Sequence, residues 1–143
     1  MPVSWTLDAM TDIVRIEYAL PYSFEEWRSV SEQLRSDPRV AFQRNVGFLT
    51  NRANLGAPPH WFNEAAMKYS ARYPAMLRGR KIAFLARTAG AYEIARCQSR
   101  IYEDAGAIAT AFLSRDAAEL WLQEGRPDWT PPRPSIPQFS NLC

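Results

Sequence analysis

Apolar and polar residues alternate through VSWTL (3 to 7) and again through IVRIEYAL (13 to 20), on either side of the polar segment DAMTD. Two neighbouring runs of period two predict a β-hairpin at the start of the domain. The period then lengthens. Phe24, Trp27, Val30 and Leu34 recur at three- and four-residue spacing after Ser23, and Glu26 stands three residues past that serine. This capping-box arrangement predicts a helix running to about Arg35, with Asp37-Pro38 as its stop. VGFLT (46 to 50) is short and apolar enough for a buried strand, and NRANLGAPPHW reads as a loop because Gly56, Pro58 and Pro59 suit no regular element. Phe62, Ala65, Ala66, Tyr69 and Tyr73 then mark a second helix, starting near Trp61 and ended or kinked at Pro74, which has no N–H to donate.

KIAFLA (81 to 86) is the most continuously apolar run and predicts the central strand. Ile94, Ala95, Cys97, Gln98, Ile101, Tyr102 and Ala105 share one face of the helix after it, with Thr88 close to its start and Gly106 as its C-terminal stop. AIATAFL (107 to 113) and SRDAAELWLQEG supply a further strand and helix. There Asp116 and Glu119 read as another capping box, Trp121 and Leu122 face inward, and Gly125 ends the helix. Strands alternating with helices give an α/β class: a mixed, mostly parallel five-stranded sheet with an N-terminal antiparallel hairpin and about four helices.

The pattern ends abruptly at residue 125. GRPDWTPPRPSIPQFSNLC holds five prolines and no periodic apolar positions, so the chain divides into a domain, 1 to 125, and a Pro-rich tail, 126 to 143. Pro131, Pro134 and Pro137 fall on one face of a polyproline II helix, as in a PxxP docking peptide. Trp129, Ile136 and Phe139 are too apolar for a free linker, and favour a tail lying along its own domain or along a sister subunit in a homodimer.

Composition narrows the function. A chain of 143 residues, 47% hydrophobic and 22% charged, suits one globular domain. Its net charge of +2 is small and its basic residues are dispersed, which speaks against nucleic acid. No apolar run approaches the roughly 20 residues of a membrane span, and the N-terminus resembles no signal peptide, so a cytoplasmic protein without a transmembrane segment is expected. Cys97 and Cys143 are far apart and His60 stands alone in PPHW, so neither a structural zinc site nor a CxxC pair can be composed. Cys97 reads as a small residue on a buried helix face and Cys143 as an exposed terminal thiol. No metal or cofactor is assigned.

YSFEEW, SDPR, GFLTNR, RKIAFLA, YEIARCQSRIYE and AFLSRDAAELWL, in this order after the hairpin, resemble the STAS-like (SpoIIAA-like) domains of bacteria across residues 3 to 123. The resemblance implies a mixed sheet built from successive βα turns, and a small stand-alone module that acts by binding a protein partner, without catalysis. Members that antagonise anti-sigma factors are switched by a phosphorylated serine or threonine in the helix after the third strand. NRANLGAPPHWFNEA has neither residue between Asn51 and Asn63, so that switch does not carry over.

Parallel sheets collect ligands beyond the carboxyl ends of their strands, where helix N-termini present unpaired N–H groups. Three such ends present Thr50, Asn51 and Arg52; Arg87 and Thr88; and Ser114 and Arg115. The three arginines suit a small anion or an acidic partner surface, or simply serve as solvated charge. With His60 and Trp61 from the adjoining loop, these residues form the candidate ligand or partner surface. No glycine-rich phosphate loop and no GxSxG turn accompanies them, so no catalytic residue is assigned. The alternative function is binding of a small apolar ligand or lipid, suggested by Trp61, Phe62 and Tyr69 on the helix that precedes Pro74.

Overall fold

A computed structural model describes residues 3–19, 23–43, 46–53 and 60–124, apart from the side chains of 52, 53 and 60. The Pro-rich tail and its PxxP spacing, the 54–59 loop and Gly125 lie outside the described residues. Five strands, β1 (Val3–Asp8), β2 (Ile13–Tyr18), β3 (Gly47–Ala53), β4 (Lys81–Ala86) and β5 (Ile108–Phe112), form one sheet whose spatial order is the chain order. β1 and β2 are antiparallel, and every later neighbour is parallel. The hairpin turn places Asp12 at φ 55°, a conformation that aspartate tolerates better than most residues. Asp8 Oδ1 accepts from the Met10 N–H at 2.9 Å, and that bond holds the Asp8 carboxyl below its usual pKa.

The helices are α1 (Phe24–Ser36), α2 (Pro38–Ala41), α3 (His60–Ala71), α4 (Ala89–Asp104) and α5 (Arg115–Gln123), with one 3-10 turn at Pro74–Met76. Ser23 caps α1 by accepting from the Glu26 N–H at 3.2 Å, as its sequence predicts. Asp37-Pro38 does more than stop α1. Asp37 Oδ1 accepts from the Arg39 N–H at 2.9 Å and Pro38 takes the first helical position, where its missing N–H costs nothing, so one dipeptide ends α1 and starts α2. At α5 the expected capping box does not form. Ser114 is the cap, accepting from the Ala117 N–H at 3.2 Å, and Glu119 turns to the sheet to bind Arg15 of β2. Gly106 closes the turn after α4 at φ 102°.

The sheet is covered unequally, and side-chain alternation along each strand decides what meets what. Val14, Ile16, Phe48, Ile82, Phe84, Ala109 and Ala111 share one face with Val30 and Leu34 of α1 and Ala95 of α4. Ile13, Leu49, Ala83 and Leu85 share the other with Ala118, Trp121 and Leu122 of α5. β4 carries residues of both sets and is buried throughout, which is why KIAFLA reads as one unbroken apolar run.

Lys81, at the start of β4, is 7% exposed on the α5 side. Its Nζ donates to the Trp121 carbonyl at 2.9 Å and lies 5.0 Å from the indole centroid. Burial lowers its pKa below 10.5, against a weaker opposing pull from Glu124. The folded chain thus holds this proton less tightly than the unfolded chain does. The charged lysine is a cost that is present in full below the lowered folded pKa and is relieved as pH rises from there toward 10.5. Urea unfolding of wild type and Lys81→Met at neutral pH and near pH 10.5 should show wild type gaining stability relative to the variant. A difference that stays flat with pH would mean the lysine titrates alike in both states.

Candidate functional site

α1 seats on the β1 side of the sheet and α4 on β4 and β5, so the middle strands are left open on that face. α3 packs chiefly on α1 and on the 3-10 turn, and spans the gap from above. Trp27 of α1 is the hinge of this contact: its ring meets Phe24 at 5.5 Å, Phe62 at 6.2 Å and Tyr69 at 5.5 Å. Trp27 stacks on Phe24 and meets Phe62 and Tyr69 edge to face, and room remains between these rings and the sheet.

The room left is a cavity of about 130 Å³. Ile16, Phe48, Thr50, Ile82 and Phe84 form its floor, α1 supplies Val30, Leu34 and Arg35, α4 supplies Gln98, Ile101 and Tyr102, and α3 with the segment after it supplies Phe62, Ala66, Tyr69, Tyr73 and Met76. The lining is mainly apolar, with Ser31, Thr50, Asn63 and Ser70 among its polar members, and three further polar atoms stand out. Arg35 Nε, Tyr69 Oη and Gln98 Oε1 are buried and meet no hydrogen-bond partner within the protein. The Arg35 guanidinium lies 3.8 Å from the Tyr73 ring centroid. Hydrogen bonding between its guanidinium and the Tyr69 hydroxyl raises the Arg35 pKa, although neither Nε nor Oη reaches ideal bonding geometry.

The residues marked by sequence at the strand ends do not converge on one site. Thr50 is buried and joins the cavity floor. Asn51 Nδ2 donates to Glu17 at 2.7 Å, and Arg115 pairs with the same carboxylate at 3.6 Å, so this arginine already has an anion. Thr88 and Ser114 use their hydroxyls as helix caps. Arg87 is exposed, and the side chains of Arg52 and His60 are not described. Trp61 is 59% exposed and leans on Phe62 at 5.9 Å, outside the cavity. Of the three aromatics expected to border an apolar site, Phe62 and Tyr69 do so.

Sequence reasoning placed Gln98 on the inner face of its helix but gave it no role, and passed over Arg35. The available signal was a polar residue between apolar neighbours on a helix face, Gln98 between Ile94 and Ile101. Cys97, expected on a buried helix face, is half-buried, and it is disulfide-bonded, so its sulfur is not a free thiol. Among the described residues no three acidic, cysteine or histidine side chains gather to hold a metal. No described helix is long and apolar enough to cross a membrane. In comparison with known proteins, no family model matches the chain, no curated protein matches it, and no solved structure matches it.

Proposed function

We propose that the protein binds a small apolar or amphipathic molecule in the space between β2–β4 and α3. The observation that carries this reading is the cavity itself. Protein interiors are close-packed, whereas a pocket of about 130 Å³ with mainly apolar walls is left between the sheet and α3. An apolar cavity of about 150 Å³ is large enough to stay dry and to bind benzene or xenon. Toluene is therefore expected to raise the Tm of the wild-type protein by several degrees, since a ligand that binds only the folded state stabilises it by mass action. Ala66→Phe, which puts a ring into the same space, should abolish that response, and native mass spectrometry of freshly purified protein should show a mass above that of the chain. A bare mass together with a Tm indifferent to toluene would sink the proposal.

A second reading, a non-catalytic STAS-like module that docks a protein partner, is supported by the chain-ordered sheet with its hairpin at one edge. The exposed Trp61 on α3 would lie at that docking surface. The two readings are compatible, because a ligand under α3 would set the position of the helix that carries Trp61. A cytoplasmic location belongs to this proposal only where the Cys97 disulfide is opened, since the cytosol keeps thiols reduced.

A further inference from the structure

The chemistry of the three unpartnered atoms narrows the occupant. Buried polar groups almost always find partners, so three such atoms lining one apolar cavity mark where a ligand's own polar atoms would sit. Arg35 is half-buried, which places it where the cavity meets solvent. Its guanidinium stacks on Tyr73, and Glu32, three residues back on α1, adds a charge that favours its ionised form. Tyr69 Oη stands beside it with a proton to give. Gln98 Oε1 faces the same space from α4 on a residue 8% exposed, and is the competing anchor. A neutral acceptor would choose an alcohol, whereas a cation with a neighbouring hydroxyl donor would choose a carboxylate. Hydrogen bonds to an ionised pair are roughly twice as strong as neutral ones, so the arginine decides.

We infer that the occupant is a small amphipathic carboxylic acid, its carboxylate on Arg35 Nε and the Tyr69 hydroxyl and its apolar body, about six to eight carbons, between the sheet and α3. This inference rests on the cavity being a binding site. Octanoate and 1-octanol, titrated into the full-length protein at pH 7 by calorimetry, separate the two claims. Partitioning out of water favours the alcohol, so tighter binding of octanoate cannot come from the hydrophobic effect. Octanoate is expected to bind about tenfold more tightly than octanol, the usual advantage of a charge-assisted bond. Arg35→Gln should erase the preference. Octanol binding as tightly as octanoate, or more so, overturns the carboxylate and leaves the cavity reading intact, with Gln98 as the anchor. Failure of both probes to bind removes the cavity reading as well. A preference that survives in Arg35→Gln shows that another group holds the carboxylate and overturns the assignment to Arg35. Because Arg35 also stacks on Tyr73, the variant is checked for fold by circular dichroism, and the wild-type ratio decides between acid and alcohol even if the variant does not fold.

Discussion

Replacing Arg80 by alanine is expected to lower the unfolding free energy by about 3–5 kcal/mol, the cost of taking three charge-assisted hydrogen bonds away from backbone carbonyls. Arg80 precedes β4 and is 1% exposed. Its Nη2 donates to the Val40 carbonyl at 2.7 Å and the Ala41 carbonyl at 3.2 Å, and its Nη1 donates to the Gln43 carbonyl at 3.3 Å. These acceptors lie at the C-terminal end of α2, where a helix has unsatisfied carbonyls and a partial negative charge. A four-residue helix has almost no stability of its own, so α2 exists because a guanidinium reaches it from forty residues away. Alanine would leave those carbonyls without this donor and remove the stem that packs against the core. Lysine should rescue little, since one ammonium on a flexible stem cannot reproduce a fork aimed at three oxygens. Urea unfolding of the three proteins measures this, and a loss under about 1 kcal/mol would show that water replaces the guanidinium at no great cost.

The second large effect is expected on the opposite face of the sheet. Trp121→Ala should destabilise by about 3–5 kcal/mol, the usual range for removing a large buried aromatic. Trp121 is 6% exposed, packs on Phe112 at 5.5 Å and lies beneath the Lys81 ammonium. Among the described residues, α5 is the one helix grouped with Ile13, Leu49, Ala83 and Leu85. It spans nine residues, too few to persist in water without its packed face. Loss of the indole would thus weaken the helix and uncover the strands together. Leu120, on the same helix but 63% exposed, is the control, and its alanine variant should stay within about 0.5 kcal/mol of wild type. Equal losses at the two positions would mean that α5 contributes through helix propensity and not through its buried face.

These two residues show where the sequence was readable. Trp121 was expected to face inward from its spacing alone, because helix periodicity and burial are set by residues within a few positions of one another. The same holds for the Ser23 cap and for β4, whose bounds follow an apolar run. Arg80 was not singled out, and α2 was missed with it, because the interaction that sustains them joins residues 40 and 80. Glu119 was assigned to a local cap for the same reason. Its partner, Arg15, is 104 positions away, and local spacing carries no trace of it. The cavity is less legible still. Most lining residues read as ordinary core positions, and the space between them depends on α3 packing chiefly on α1 and the 3-10 turn.

That void has a consequence for how the molecule responds to compression. Spread over a mole, 130 Å³ is about 80 mL, near the upper end of the volume decrease with which domains of ordinary size unfold. Where the apolar walls keep water out of this pocket, that volume is lost when the chain unfolds, and pressure then works against the empty protein through its volume. An occupant removes most of that volume difference without adding a bond between strands. The empty and the filled protein would then differ more in their resistance to pressure than in their resistance to urea, which acts on exposed surface.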